Sequence, residues 1–222
     1  MKTLKFLSII ALTLFAFTSC SDDDTAPTLL DVEAETISNL FAPQEGGVDP
    51  VTGQPLPVSG EFTKFDFETG TTTTSDTDWD IAFRGTTIIV NGGESQGATD
   101  EPDRTGNAAA YIAISDLAGV TEVNESLLVQ DTEAALAITP SSDQGWYNYS
   151  GFGNPNPLDD NLIRPIAGRI LVFRTRDGRY AKVEILSYYQ DAPASPNGFV
   201  DTPRYYTFNY VFQPNDGVTT FE

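Results

Sequence analysis

The side chains best equipped for chemistry sit in "QGWYNYSGFGNPNP", residues 144–157, where Trp146, Tyr147, Tyr149 and Phe152 stand among Gly, Asn and Pro. Large rings on such a segment either plug the end of a β structure or line a ligand pocket, whose walls are usually apolar and aromatic. In an extended chain Tyr147 and Tyr149 point one way and Trp146 the other. Around these rings most catalytic equipment is missing. The sequence has no histidine, a single cysteine (Cys20) and a single methionine (Met1). Ser-His-Asp triads, Cys-His pairs and histidine-bearing zinc sites are thereby excluded, and no P-loop or dinucleotide glycine fingerprint occurs. Carboxylate pairs could in principle serve a glycosidase, but among 32 Asp and Glu residues such pairs arise by chance. "NPNPLDDN" and "TDEPDRTGN" offer oxygen ligands without the regular spacing of a calcium loop, and read as solvated turns. The chemistry is that of binding, not of an enzyme, and no metal site is expected.

The N-terminus decides where such a protein works. Lys2 and Lys5 form a short basic region, followed by an apolar run from Phe6 to Phe17 that is too short for an ordinary spanning helix. It ends in "FTSC" and then "SDDD". This looks like a bacterial lipoprotein signal, residues 1–19, with Cys20 cleaved free and lipidated. Residues 20–30 read as an acidic tether, and residues 31–222 as one domain. The acidic run after the cysteine resembles surface-export signals of Bacteroidetes lipoproteins, which places the protein on the outer face of the outer membrane. The formal net charge is −20, and loss of Lys2 and Lys5 with the signal makes it more negative still. Nucleic acid and anionic membrane surfaces require basic patches and are excluded; a cationic partner or a neutral ligand suits this charge. With no second cysteine, intramolecular disulfides are impossible.

The elements that must position the rings are strands. In residues 78–84 the alternation puts Trp79, Ile81 and Phe83 on one face and Asp78, Asp80 and Arg84 on the other. Ile88 to Val90 continue as a short strand that Asn91-Gly92-Gly93 stops. Phe65 and Phe67 share a face, as do Tyr206, Phe208, Tyr210 and Phe212. Thr36 to Phe41 is compatible with a short helical turn, and "PQEGGVDPVTGQPLP" reads as a loop whose prolines forbid a central strand. In "GRILVFRTRDGRYAKVEILSYY", Asp177-Gly178 signals a two-residue type I′ hairpin. That register pairs Arg176 with Arg179, Val172 with Val183 and Ile170 with Ile185. Leu171 and Phe173 then lie on the other face with Tyr180, Lys182 and Glu184. Many short strands with Gly/Pro punctuation predict an all-β single domain of antiparallel strands, a sandwich or open barrel.

"SDTDWDIAFRG" running into "VNGG", then "GWYNY", "RILVFRTRDGRYAKVEILSYY" and "YYTFNYVF" together resemble the HmuY family of Bacteroidetes haem-binding lipoproteins. The blocks keep the family's order across residues 61–212. The resemblance implies an all-β haemophore that passes haem to a TonB-dependent outer-membrane receptor in iron acquisition. It makes Trp79 a mainly structural signature. It also implies axial His or Met ligands, and the mature chain has neither. In "DDNLIRPIAG" Asn161 stands opposite a position where some members carry histidine. A tyrosinate is the remaining axial type, so Tyr111, Tyr147 and Tyr149, with Trp146, are the candidate ligand-binding residues. Arg169, Arg174, Arg176, Arg179 and Lys182 either meet haem propionates or simply solubilise a hairpin tip. The resemblance thus implies a carrier of haem or a related porphyrin without His/Met ligation. The alternative is a family member that has lost haem and grips a peptide, a glycan or a receptor domain.

Overall fold

The computed structural model describes residues 28–48, 54–156 and 158–222. The signal segment, Cys20 and most of the acidic tether fall outside these residues. The tether's last residue is fixed: the Leu30 N–H donates to Asn215 Oδ1 and its carbonyl accepts from Asn215 Nδ2, both at 2.8 Å.

The strands are β1 (Glu33–Phe41), β2 (Glu45–Val48), β3 (Pro55–Ser59), β4 (Thr63–Asp66), β5 (Thr71–Thr73), β6 (Ile81–Arg84) and β7 (Thr87–Val90). There follow β8 (Ala109–Ile114), β9 (Tyr147–Tyr149), β10 (Ile163–Pro165), β11 (Arg169–Arg174), β12 (Tyr180–Tyr189) and β13 (Pro203–Gln213). The described residues contain one 3-10 turn, Glu125–Leu127, and no α-helix. A five-stranded antiparallel sheet runs β1-β13-β12-β11-β8, a four-stranded sheet runs β5-β4-β6-β7, and two ribbons pair β2 with β3 and β9 with β10. The expected all-β class is what the chain adopts, as open sheets and not a closed barrel.

The two larger sheets face one another across an aromatic core. Phe65 meets Phe208 edge-on at 5.5 Å, Phe67 meets Phe173 at 5.5 Å and Phe83 meets Tyr206 at 4.8 Å. Period-two alternation aims these rings inward from both sheets, and each buries apolar area worth roughly 25 cal/mol per Å². Both outer faces are covered as well. Tyr111, Ile170, Val172 and Tyr180 pack with Val120, Val123 and Phe221 outside the five-stranded sheet. Phe62, Trp79, Ala82 and Ile89 pack outside the four-stranded one.

The structure corrects four expectations. Trp79 does not share the face of Ile81 and Phe83; it lies with Ala82 and Ile89 in the outer cluster, and its Nε1–H donates to the Asp76 carbonyl at 3.2 Å. The alternation begins only with β6, because the Asp80 carboxylate is turned inward to accept the Phe67 and Arg176 N–H groups at 2.9 Å. Thr36 to Phe41 is strand, not a helical turn: β1 pairs with β13, and a register shift between Ile37 and Leu40 accommodates Asn39 at φ 57°. The β11–β12 hairpin is one residue out of the type I′ register. Thr175 N–H donates to Arg179 O at 2.7 Å and Gly178 N–H to Thr175 O at 3.2 Å, while Gly178 alone in the turn has positive φ (99°). That is a three-residue loop. The Thr175 hydroxyl donates to Asp177 Oδ1 at 2.6 Å, which secures the Asp177 side chain within the loop. Leu171 therefore faces Val183 and Phe173 faces Ala181. Leu171, Phe173, Val183 and Ile185 share the inner face; Ile170, Val172, Tyr180 and Lys182 share the outer one. The Gly/Pro-rich stretch is not a loop throughout but pairs as the β2–β3 ribbon; a two-stranded ribbon is all edge and tolerates proline, and it stays outside both large sheets.

The "DWDIAF…VNGG" stretch is a seam in this frame. Asn91 is fully buried; its Nδ2 donates to the Thr77 and Trp79 carbonyls at 3.1 and 2.8 Å, and its Oδ1 accepts from the Thr105 and Gly106 N–H groups at 2.7 and 3.0 Å. One side chain thus joins three segments.

Candidate functional site

At the Tyr189 end of β12 two loops meet, residues 150–162 after β9 and residues 190–202 before β13. Asn161 ties them together. It sits in the left-handed region at φ 54°, which Asn tolerates better than most residues. Its N–H donates to Gly151 O at 2.7 Å, its Nδ2 donates to Gly198 O at 2.9 Å, and its Oδ1 accepts from the Tyr149 hydroxyl at 3.0 Å. Gly198 is needed for this approach, since a Cβ there would lie 2.3 Å from the Asn161 carbonyl oxygen. The knot presents Phe152 and Phe199 to solvent, edge to face at 5.9 Å, with 79% and 58% of their surfaces exposed. Val200, next to Phe199, and Leu158, further along the Phe152 loop, are exposed as well. Clustered apolar side chains left in water on an otherwise acidic protein mark a place of contact.

Beneath this ledge the candidate rings are divided. Trp146 is buried among Tyr147, Tyr188 and Tyr206 at 5.0, 5.7 and 5.1 Å, and its Nε1–H donates to Thr86 O at 2.9 Å. Tyr147 is also buried, with its hydroxyl donating to Pro140 O at 3.0 Å. These two plug the end of the core, and Tyr149 alone of the three reaches the ledge. Tyr111 is elsewhere: it lies on the outer face of the five-stranded sheet, where its hydroxyl accepts the Asn124 N–H at 3.0 Å. The structure therefore brings Trp146, Tyr147 and Tyr149 together and leaves Tyr111 apart. Burial pushes the Tyr188 and Tyr206 hydroxyls well above the ordinary phenol value, so both remain neutral donors.

The family model described as HmuY protein matches residues 59–210, well over half of the chain. The chain belongs to the HmuY family. Three crystal structures resemble this HmuY-family fold. A Bacteroides fragilis protein provisionally described as a lipoprotein is 16% identical, over 69% of this chain and 83% of that one, with a TM-score of 0.42. The apo HmuY analog of Tannerella forsythia is 16% identical, over 85% of this chain and 100% of that one, at 0.40. A Bacteroides vulgatus protein provisionally described as HmuY-like and heme-binding is 14% identical, over 83% and 93%, at 0.42. No curated protein matches.

In this HmuY-family chain the five cations offered either to propionates or to a solubilising hairpin tip have other work. Arg176 pairs with Asp66 at 3.2 Å and Asp80 at 3.4 Å, and Arg179 pairs with Glu68 at 2.7 Å. Arg169 donates to the Gly145 and Asp143 carbonyls, and Arg174 to Asn107 O and Oδ1 at 2.9 and 3.1 Å. Lys182 is buried and donates to the Leu117 and Val120 carbonyls, both at 2.7 Å. None of the five lies in either loop of the ledge. Among the described residues no three His, Cys, Asp or Glu side chains gather as a metal site. Two residues at this end escape sequence reasoning. Phe199 had a signal, a bulky ring in the polar loop "SPNGFVD"; Arg204, at the start of β13, had none.

Proposed function

We propose that the chain is a surface-anchored carrier, lipidated at Cys20, that takes haem or a related porphyrin on the Phe152–Phe199 ledge and passes it to an outer-membrane receptor. The observation that carries this reading is the exposed ring pair, fixed by Asn161 where two loops meet, in a member of a binding family. A porphyrin is a flat apolar disc, and two rings at 5.9 Å offer it an edge and a face to lie against. Iron ligation by His or Met does not fit, because the sequence has no histidine and its one methionine is Met1. The candidate phenol at this end, Tyr149, is hydrogen-bonded to Asn161. The ring pair supports stacking of the disc; coordination of its iron by His or Met has no residue to carry it. On this reading the protein has no enzymatic role.

The test is a titration of the chain lacking its signal with ferric haem and with metal-free protoporphyrin, followed by absorbance and by tryptophan quenching. Saturable binding of both, within a few-fold and without a six-coordinate His/Met spectrum, is expected. Phe152→Ala and Phe199→Ala should each weaken both ligands together. A charge-transfer band with haem alone would place Tyr149 on the iron, and Tyr149→Phe would remove it. Saturable binding of neither would overturn the reading in favour of a family member that grips something else. For that second reading a separate groove of about 620 Å³ offers Thr72, Thr74, Lys64 and Glu61 beside the Phe62 ring, which suits the hydroxyls and apolar faces of a glycan.

A further inference from the structure

We infer that the cleft formed by Gln44, Thr86, Tyr188 and Arg204, next to the ledge, is a carboxylate-binding subsite. Its occupant as one propionate of a porphyrin rests on the function proposed above; the carboxylate chemistry of the cleft does not.

Charge gives the first reason. The chain has 32 acidic residues against 12 Lys and Arg, so a cation without a carboxylate partner has to be held from one. Among the described residues Arg204 forms no ion pair, unlike Lys64, Arg104, Arg164, Arg176 and Arg179. The remaining unpaired cations, Arg84, Arg169, Arg174 and Lys182, each donate to two amide oxygens, whereas Arg204 has one. Arg204 donates from Nη1 to one carbonyl, that of Gln44, at 2.6 Å, and meets the Tyr188 hydroxyl. A guanidinium carries five N–H donors, so part of its fork remains to be used.

The second reason is that the cleft is built. It encloses about 250 Å³ between Gln44, Thr86, Ile163, Tyr188, Pro203 and Arg204, room for one substituent of a ligand and not for the whole. Its walls are pinned to both sheets: Ala42 N–H donates to Arg204 O at 2.8 Å, and Gly85 N–H to Ala42 O at 3.1 Å. Gly85, at φ 53°, takes the left-handed backbone that favours glycine and lets the Gln44 side chain lie against it. Arg204 itself is held at φ 73°, an uncommon conformation for a residue with a side chain and one that recurs at ligand clamps. The Tyr188 hydroxyl accepts from Arg204 and keeps its own O–H to donate, and the Thr86 hydroxyl, turned to Tyr147, adds a second polar oxygen to the wall. Such a fork with flanking hydroxyls matches the planar geometry of a carboxylate.

Position gives the third. Ile163 walls the cleft and lies two residues along extended chain from Asn161, roughly 7 Å. Residues 198–203 join the ledge to Arg204 on the other side. A disc resting on Phe152 and Phe199 can therefore direct one acidic arm towards the cleft.

The mature chain, Arg204→Lys and Arg204→Gly are titrated with protoporphyrin IX and with its dimethyl ester. Glycine removes the guanidinium and relieves the left-handed backbone, so that variant keeps the fold. In parallel, 2-naphthoate is titrated while the arginine Nε–H resonances are followed by NMR. The natural chain should prefer the diacid to the diester at least tenfold. Arg204→Gly should lower diacid affinity to the level of the diester and leave the diester unchanged, with Arg204→Lys between. The Arg204 Nε–H signal should shift saturably with naphthoate. Equal loss of diacid and diester, or no preference for the diacid in the natural chain, would overturn the propionate assignment. An unmoved Arg204 signal would overturn the subsite altogether. If neither porphyrin binds while naphthoate still shifts Arg204, the carrier function fails and the subsite stands.

Discussion

At the Tyr180 end of β12, Arg176 reaches Asp66 and Asp80 while Arg179 clasps Glu68 at 2.9 and 2.7 Å. At the Tyr189 end, about nine residues or 30 Å of strand away, the chain leaves Phe152 and Phe199 in water and Arg204 without an acidic partner among the described residues. Both ends close the same two-sheet core, one with ion pairs and the other with Trp146 and Tyr206. Arg176 and Arg179, which close the first end, are two of the five cations that the sequence offers either to a ligand or to a solubilising tip. In a protein so rich in carboxylates, arginines that lie near acids become fasteners. A binding role falls to the residue kept away from them.

The largest effect expected is a split between two neighbouring rings. Trp146→Ala removes a ring that is 1% exposed and packed on Tyr147, Tyr188 and Tyr206, and should cost about 3–5 kcal/mol. Phe152→Ala removes one that is 79% exposed and should change stability by less than about 0.5 kcal/mol while weakening porphyrin binding. Urea unfolding and ligand titration on the same two variants check this. Equal destabilisation would mean that the ledge is core and that the ends are not different in kind.

At the fastened end, Arg176→Met leaves Asp66 and the buried Asp80 without their cation and should cost about 3 kcal/mol in urea unfolding. A loss below about 1 kcal/mol would make the contact a surface pair and remove the contrast. Acid sharpens the same point. Burial lifts the Asp80 carboxyl from 3.8 to about 6, against the opposing pull of the Arg176 and Phe67 N–H groups. The folded state then binds the proton more tightly than the unfolded chain. This contribution to stability is complete below about 4 and is lost as pH rises through about 6, with a slope of up to about 1.4 kcal/mol per pH unit. The difference between the natural chain and Asp80→Asn, measured by denaturation from pH 4 to 7, should show that slope and its sign.

Much of this frame is legible in the sequence, and the limits have physical causes. The rings of β13 alternate over a long run with one face inward, so Tyr206, Phe208, Tyr210 and Phe212 can be placed from period two alone. The β11–β12 register cannot, because both faces are buried and the apolar pattern fits either pairing. The turn then decides, and "RDG" suits a three-residue loop as well as a type I′ one. Trp79 misleads for the same reason: an outer apolar cluster accepts what the inner one would. At the site, the aromatic segment 144–157 is visible as composition. Which ring plugs and which is presented depends on Asn161 reaching Gly198, 37 residues away. Arg204 depends on more distant partners still, since its partner Gln44 lies 160 residues back.

The smallest effect belongs to Glu68, and its sign distinguishes it from Asp80, which meets an arginine of the same hairpin tip. Its hydrogen bonds from Arg179 hold its carboxyl below the usual carboxylate value, and half of its side chain is in solvent. Here the folded state binds the proton less tightly, so the stabilisation is present above about pH 5 and is lost as pH falls through the carboxylate range. Glu68→Gln should therefore cost less than about 1 kcal/mol at neutral pH, and the loss should shrink in 1 M salt and below about pH 4. Asp80→Asn, shielded from solvent, should keep its pH slope in the same salt. If salt erased both effects, Asp80 would be as wet as Glu68, and the tip would be a charged surface instead of a seam between sheets.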